Sequence, residues 1–274
     1  MIRGLYTAAS GMISERRRQQ ILSNNLNNMD TPGYKQSTNK LRTFPEMLTQ
    51  RIGGDTPIAN IGDVPTGVYD EETIPDFSQG TISDTGKKTD VALVTSQLPL
   101  NPRTGSQEGA LFFGVRTAAG AVRYTRDGHF TLNAAGQLTD DGGDRVLDQA
   151  GNPIQLNSDN IQIAGDGTVT DAGSGARLGQ IGVSYAANPD RLVKSGSGGF
   201  FRLQGGGALP SATGQAGVAY QLKQGSLEGS NVSADETVTN MMESYRSFEA
   251  NQKVLQILDG TLDKAVNDVG RVTG

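Results

Sequence analysis

The chain has 274 residues, a net charge of −5, 37 glycines, no cysteine and one histidine. The acidic balance leaves no clustered basic surface for nucleic acid, and the absence of cysteine excludes disulfides, thiolate catalysis and cysteine-ligated metals. Because His129 is the only histidine, a multi-histidine metal site is also excluded, and we expect no cofactor, no metal and no nucleic-acid partner.

Ordinary targeting signals point to a cytoplasmic protein. No apolar run is long enough to span a bilayer, so we expect no membrane insertion. The first residues do not read as a secretory signal, since polar residues and glycines interrupt them and Arg16, Arg17 and Arg18 follow.

Residues 3–28 predict one helix that ends in a stop signal. Its apolar residues recur mostly at spacings of three, four and seven, although residues 15–20 are polar and break the stripe. An Asn-rich turn follows, in which Pro32 disfavours helical backbone before it and Gly33 can adopt positive φ. We assign residues 1–35 to an N-terminal helical segment.

Residues 36–80 are rich in proline and glycine and predict an extended connecting arm with few regular elements. Residues 81–224 read as short strands at regular spacing, which predicts a mainly antiparallel β domain. Within that domain Asp127-Gly128 predicts a hairpin turn. The absence of strand–helix alternation argues against a parallel α/β sheet.

Residues 225–274 predict a linker followed by a second long helix. Ser233 and Glu236 fit a capping box at its start, and Gly270 can terminate it. A heptad frame runs through the helix, and its apolar positions are Val238, Met241, Tyr245, Phe248, Leu255, Leu262, Val266 and Val269. Its length of roughly 54 Å favours a coiled coil.

Neither terminal helix has an obvious partner in the β-rich middle, so we predict that the two helices pair with each other. The fold class is then α+β, with an antiparallel β domain inserted between long terminal helices that form a coiled-coil-like domain. Because the N-terminal stripe is too broken to cover the C-terminal one, we also predict self-association. The predicted assembly interface comprises Leu5, Met12, Leu22, Asn24, Asn25, Leu26, Asn28, Tyr34, Met241, Tyr245, Phe248, Asn251, Leu255, Leu262 and Val266.

Three groups of motifs resemble the bacterial flagellar axial family of rod and hook proteins. The N-terminal motif is Leu22-Ser23-Asn24-Asn25-Leu26-Asn27-Asn28 followed by Thr31-Pro32-Gly33-Tyr34-Lys35. The C-terminal motifs are Gln224-Gly225-Ser226-Leu227-Glu228-Gly229-Ser230-Asn231-Val232 and the stretch from Met241 to Lys253. The middle contributes Tyr124-Thr125-Arg126-Asp127-Gly128-His129-Phe130 and Asn133-Ala134-Ala135-Gly136-Gln137-Leu138.

The opening residues 1–9 and the stretch 42–48 most resemble the distal-rod-type hook–basal body proteins of Gram-positive bacteria. One departure is an insertion with Pro99, Pro102 and Gly105 between Asp90-Val91-Ala92-Leu93 and Phe112-Phe113, where the family has a short run.

The resemblance implies a non-enzymatic subunit of the flagellar rod that assembles through its terminal helices into a helical tube and transmits torque from motor to hook. It also implies partners among rod and hook subunits, unfolded passage through the flagellar type III export apparatus, and an extracytoplasmic location in the basal body. On this point it replaces the cytoplasmic expectation.

The alternative is a wall-associated binding module or wall-remodelling enzyme carried on the β domain. General acid–base chemistry would need convergent carboxylates in a cleft. The candidates are Asp84, Asp90, Glu108 and Asp127.

Overall fold

A computed structural model describes residues 2–44, 47–51, 59–64, 66–100, 109–156, 158–196 and 198–267. Helix α1 spans Ile2–Asn27 and helix α2 spans Ala234–Asn267. Gly270, the predicted terminator, and the residues at 101–108 within the insertion lie outside the described residues. Among the described residues, the structure contains no helix that is both long and apolar enough to cross a membrane.

The fold is α+β with antiparallel sheets, as predicted, and the chain divides into two compact units. We call Met1–Leu26, Ser37–Pro75 and Ser233–Gly274 the terminal unit, and Asn27–Gln36 and Asp76–Val232 the central unit.

Within the terminal unit, α2 begins where the sequence predicts. The Ser233 side-chain oxygen accepts a hydrogen bond from the backbone nitrogen of Glu236 at 3.4 Å, which satisfies one of the unpaired amides of the first turn. Asp235 and Glu236 add negative charge there, where the helix dipole favours it.

The two helices touch at points that run in opposite directions along them. The Leu258 side chain lies against Gly4, and the Asn251 side chain lies against Gly11. Further along, the Ser244 hydroxyl donates to the Glu15 carbonyl at 3.1 Å. Since α1 positions rise as α2 positions fall, α1 and α2 run antiparallel where they meet, and glycines allow the close approach.

The expectation of few regular elements in residues 36–80 is wrong. Strands β1 (Ser37–Thr43) and β4 (Val68–Pro75) pair antiparallel, and so do β2 (Met47–Arg51) and β3 (Ala59–Val64). Thr7 donates its hydroxyl to the Thr66 carbonyl, and Ser10 accepts from the backbone of β4, so this ribbon packs along α1. The sequence did not indicate these strands, because apolar and polar residues alternate only weakly in them and the segment is rich in glycine and proline.

The central unit holds the remaining strands. They are β5 (Ile82–Asp84), β6 (Val91–Gln97), β7 (Ala110–Arg116), β8 (Val122–Thr125), β9 (Thr131–Leu132), β10 (Leu138–Thr139), β11 (Arg145–Val146), β12 (Ile161–Ile163), β13 (Thr168–Asp171), β14 (Arg177–Gln180), β15 (Val183–Ala186), β16 (Leu192–Lys194), β17 (Phe200–Leu203), β18 (Ala219–Gln224) and β19 (Ser226–Glu228). The largest sheet has the order β16-β17-β8-β7-β11-β10-β9, with β15 also pairing β7; smaller sheets are β12-β13-β14, β18-β6 and β19-β5.

Strand β7 lies at the centre of the core and is buried on both faces. Because successive strand residues point to opposite faces, Phe113 joins one hydrophobic cluster with Phe130, and Phe112 joins a second with Phe201. The ring centroids in these pairs are 5.2 and 5.6 Å apart. The short run Leu111-Phe112-Phe113 therefore links both clusters.

The hairpin predicted at Asp127-Gly128 is wrong. β8 pairs with β7 and β17, and the residues after Gly128 pair elsewhere. Asp127 instead caps a local turn, with its carboxylate accepting from the backbone nitrogen of His129 at 2.9 Å. Such a side-chain turn is the other conformation that Asp favours.

Candidate functional site

Residues 28–36, which we call the entry segment, follow α1 and belong to the central unit. Two turns bend the backbone, with Thr31 donating to the Asn28 carbonyl and Tyr34 to the Thr31 carbonyl. Gly33 has a φ of +66°, and a β-carbon there would overlap the backbone of Arg126 and Asp127. Only glycine fits this position, because the conformation and the contact both exclude a side chain.

A buried ion cluster holds the entry segment. The Lys35 amine lies 2.7 Å from Oε1 of Glu228, and the Arg126 guanidinium lies 2.7 Å from Oε2 of the same carboxylate. Lys35 and Glu228 side chains are fully buried, and Arg126 is almost so. We call Lys35, Arg126 and Glu228 the ion cluster.

Backbone groups complete the hydrogen bonding of the ion cluster. Lys35 donates to the Ser78 carbonyl at 2.6 Å, and Gly80 donates its amide to Glu228 Oε1 at 2.9 Å. The Arg126 fork also donates to the carbonyls of Leu93 and Leu111. A buried charge is tolerated only when it is paired and hydrogen-bonded in this way.

The charges of the ion cluster are unequal, with two cations around one carboxylate. Burial lowers the pKa of Lys35, and burial also lowers the pKa of Arg126, while Glu228 acts in the opposite direction on both. The Glu228 carboxylate is thus the shared counter-ion on which both cations depend.

Further bonds tie the entry segment to the residues just before α2. Gly33 donates its amide to the Glu228 carbonyl at 2.7 Å. Asn231 accepts from the backbone of Gln36 at 2.7 Å and donates to the Asp76 carbonyl at 2.9 Å. The polypeptide entering the central unit is therefore bound directly to the polypeptide leaving it.

Lys194 covers the outer side of the entry segment. Its amine lies 4.2 Å from the centre of the Tyr34 ring and donates to the Tyr34 hydroxyl at 3.1 Å and the Lys35 carbonyl at 3.2 Å. Burial lowers the pKa of Lys194 to about 8. Tyr34 itself is 2% exposed, so its contacts are within the chain.

The structure distributes the fifteen predicted interface residues over three environments. Buried are Leu22, Asn25 and Tyr34; half-buried are Leu5, Met12, Leu26, Asn28, Met241, Phe248, Asn251, Leu255 and Leu262; exposed are Asn24, Tyr245 and Val266. Asn25 bonds both backbone groups of Ser37 at 2.8 and 3.0 Å, so it fastens β1 to α1.

The predicted heptad frame divides along α2. Met241, Phe248, Leu255 and Leu262 are half-buried, whereas Val238, Tyr245 and Val266 are exposed. The buried residues of α2 are Thr237 and Ser244, each one residue before a predicted position, Val238 or Tyr245. Both are small and polar, so hydrophobicity did not mark that side of the seam.

The carboxylates proposed for an enzyme are used in local structure. Asp90 is buried and lies 2.7 Å from Nδ1 of His129. Asp84 forms a surface ion pair with Lys223 at 2.7 Å, and Glu108 lies outside the described residues.

Around Asp84, Asp90 and Asp127, the residues that the structure describes form no metal centre. No set of three His, Asp or Glu side chains in the described part of the chain is placed to hold a metal. One cleft, lined by Arg116, Tyr124 and Ser184, contains the single carboxylate of Asp148, which accepts from the Asn152 amide. Burial raises the pKa of Asp127 to about 6, but its oxygen serves the turn.

Three parts of the chain match known families of flagellar structural proteins. Residues 5–35 match the family described as flagella basal body rod protein. Residues 108–171 match the flagellar hook protein FlgE/F/G D1 domain, and residues 223–268 match the flagellar basal body rod FlgEFG protein C-terminal family.

Individual relatives cover the whole length. The chain is 43% identical to the flagellar hook-basal body complex protein FlhO of Bacillus subtilis, with 99% of this chain and 100% of the relative covered. It is 31% identical to the flagellar basal-body rod protein FlgG of B. subtilis, over 97% and 99% of the two chains. It is 30% identical to the rod protein FlgF of Caulobacter vibrioides, over 99% and 100%.

These matches define a structural protein of the bacterial flagellum. The chain belongs to the family of flagellar basal-body rod and hook–basal body proteins. The predictions of a structural rod subunit in the flagellar basal body, of the Gram-positive type, and of a protein that is not an enzyme are confirmed by this membership.

The ion cluster unites the three matched parts. Lys35 comes from the N-terminal match, Arg126 from the middle one and Glu228 from the C-terminal one. All three motifs are recognisable in the sequence, but the cluster was not predicted from it. Charged residues are almost never fully buried unless they are paired, so no local signal in the motifs indicates that Lys35, Arg126 and Glu228 lie together.

Proposed function

We propose that copies of this chain assemble through their terminal helices, together with other rod and hook subunits, into a helical tube that transmits torque from motor to hook. In this proposal α1 and α2 pair as a coiled coil within each copy. The contacts of Gly4 with Leu258 and Gly11 with Asn251 support an antiparallel pair. The less exposed positions of α2, among them Met241, Ser244 and Phe248, follow the alternating three–four spacing of such a seam.

The observation that carries the proposal is the exposure of large apolar side chains on both helices. On α1 they are Tyr6 and Ile13, and on α2 they are Val238, Met242, Tyr245, Val254, Ile257 and Val266. Apolar surface gathered on one element marks an interaction site. Burying it against neighbours would stabilise helices that are marginal alone.

The proposal includes export of the unfolded chain by the flagellar type III apparatus, which delivers it beyond the cytoplasm. A chain without disulfides has no covalent crosslink to break before threading. The composition and the absence of cysteine support this route.

Charges introduced at half-buried positions of α2 test the assembly role. We expect Leu255→Asp with Leu262→Asp to abolish swimming in soft agar, because both side chains are half-buried along α2 and carboxylates there oppose packing. The thermal unfolding of the central unit, followed by circular dichroism of the purified chain, should stay unchanged.

The matched control is Ala135→Asp with Ala172→Asp, which adds the same charge at exposed positions of the central unit. This variant should swim normally. Normal swimming of the Leu255/Leu262 variant would contradict the proposed role of the helices.

A further inference from the structure

The exposed apolar side chains of the helices form two stripes, each turned away from the contact between α1 and α2. Tyr6 and Ile13, 71% and 60% exposed, lie seven residues apart on α1. Val238, Met242 and Tyr245, 43–56% exposed, follow at spacings of four and three on α2. Residues at these spacings share one helix face. We call these the α1 stripe and the α2 stripe.

Each stripe continues into charge, and the two charges are opposite. Arg16 and Arg17 are exposed on α1 beyond Ile13. Asp235 and Glu236 are exposed on α2 just before Val238. The imbalance extends over the helices, since α1 carries four arginines and one carboxylate, and α2 carries six carboxylates and three basic residues. The stripes are therefore complementary in charge as well as apolar.

We propose that the α1 stripe of one copy docks on the α2 stripe of the next copy, with Ile13 opposite Val238. This inference rests on the proposed function, in which copies in a tube share one direction. Since α1 and α2 run antiparallel within a copy, α1 meets the α2 of a neighbour antiparallel as well. The contact joins two different surfaces, so it repeats from copy to copy instead of closing a dimer.

The register follows from matching the stripes. With Ile13 opposite Val238, Tyr6 lies opposite Tyr245, because each is seven residues further on. The residue four positions before Ile13 is Ala9, whose small side chain leaves room for Met242. Arg16 comes opposite Asp235, and Arg17 lies beside Glu236, so the charged ends coincide in the same register.

The same residues cannot meet within one copy. Gly11 lies against Asn251 in the chain, which places Ile13 eleven residues from Val238 along α2. At 1.5 Å per residue this separation is about 16 Å. A disulfide needs α-carbons roughly 4.4–6.8 Å apart, so a bond between positions 13 and 238 reports on two copies.

Cysteine crosslinking tests the register directly, since the chain has no cysteine of its own. We would replace the chain in cells by Ile13→Cys with Val238→Cys, purify hook–basal bodies, oxidise them and separate the products under denaturing conditions. The expected result is a ladder of dimers, trimers and larger species. The matched control is Ile13→Cys with Ile257→Cys, whose second position is 65% exposed but far from Ile13 in this register, and it should stay monomeric.

Other crosslinking outcomes overturn the inference. Dimers without larger species would show a contact that closes on itself. Monomers from Ile13→Cys with Val238→Cys, alongside a ladder from Ile13→Cys with Tyr245→Cys, would show a different register while leaving assembly through the helices intact.

Charge reversal separates this inference from the proposed function. Arg16→Glu with Arg17→Glu should reduce swimming at least tenfold, and so should Asp235→Arg with Glu236→Arg. Combining the four substitutions should restore swimming, which weakened helices alone would not do. If both double variants lose swimming and the fourfold variant does not restore it, the register alone is overturned. If both double variants swim normally, and the separate Leu255→Asp/Leu262→Asp variant also swims normally, assembly through the helices is overturned.

Discussion

We expect Glu228 to contribute more to the stability of the central unit than either of the cations that it binds. Lys35 and Arg126 each have backbone carbonyl partners, and Glu228 is the carboxylate that forms an ion pair with both of them. Removing Lys35 leaves one cation facing one anion, whereas removing the negative charge leaves two buried cations together. The cost of substitution should therefore depend on which charge is lost.

We expect Glu228→Gln to lower the free energy of unfolding of the central unit by about 3–5 kcal/mol, since it leaves uncompensated buried charge. Lys35→Met should cost less, roughly 1–3 kcal/mol, because it removes hydrogen bonds but keeps the Arg126–Glu228 pair. Urea unfolding of both variants measures the two values.

The control for this ranking is Lys40→Met, which removes an exposed lysine 3.9 Å from Glu71. Such surface pairs contribute about 0–1 kcal/mol. A larger loss for Lys35→Met than for Glu228→Gln would contradict the shared role of the carboxylate.

Asp127 should make stability depend on pH in the direction opposite to most carboxylates. Burial raises its pKa to about 6 in the folded chain, against roughly 3.9 when unfolded. Between these values the folded state binds more protons, so stability falls as pH rises from about 4 to 6. We expect Asp127→Asn to gain about 1–3 kcal/mol over the natural chain at pH 7.5 and little at pH 4.5, measured by urea unfolding.

Asparagine keeps the oxygen that accepts from the His129 amide, so the turn is preserved. The comparison variant is Asp166→Asn, because hydrogen bonds from Thr168 lower the pKa of that exposed carboxyl. Its effect should have the opposite sign at neutral pH. An Asp127→Asn gain that is the same at both pH values would refute the assigned role of burial.

At the scale of elements, the sequence predicts those helices and strands that hydrophobic periodicity marks. It located α1 and α2 and the antiparallel character of the middle, because apolar spacing and turn residues mark these features. It missed the ribbon of β1 and β4, whose residues are mostly exposed and therefore carry little alternation. Hydrogen bonds from Thr7 and Ser10 also hold this ribbon against α1, and no local sequence pattern encodes them.

The C-terminal helix shows the same limit in its packing. Thr237 and Ser244 are buried at positions where the sequence gives no apolar signal, while Val238 and Tyr245 beside them are exposed. A heptad frame drawn through apolar residues therefore shifted by one position on one side of the seam. Of the apolar residues that define the frame, Met241 and Phe248 are half-buried, whereas Val238 and Tyr245 are exposed, and apolar character alone does not distinguish the two groups.

The ion cluster could not be derived from spacing, because its three members are far apart in sequence and none alone signals burial. Charged residues are normally exposed, so Lys35 and Glu228 read as solvent-facing until their pairing is seen. Gly33 was correctly assigned positive φ. Its contact with the Arg126 backbone belongs to the tertiary fold.

At the scale of the whole molecule, the two units should differ in resistance to protease. We expect limited digestion of the dilute monomer to remove most of α1 and the residues after 232, because these helices leave apolar surface exposed. The trimmed product should begin near Asn27 and keep the entry segment, since Lys35 and Gly33 are bound in the central unit. Mass spectrometry of the product measures its first residue.

Glu228→Gln provides the comparison, because it releases the entry segment and should move the first residue beyond Gln36. Full protection of the helices in the natural monomer would contradict their dependence on neighbours. If the digestion product of the unsubstituted chain began beyond Lys35, that result would contradict the docking of the entry segment in the central unit.

The ion cluster also sets the order in which the chain can finish folding. Lys35 and Glu228 are separated by 193 positions, so their pairing is a highly non-local contact and forms slowly. A fragment of the chain that ends before Glu228 contains Lys35 and Arg126 but lacks the carboxylate that pairs with both of them. Completion of the central unit therefore requires almost the entire polypeptide, and we expect any shorter N-terminal fragment to remain incompletely folded.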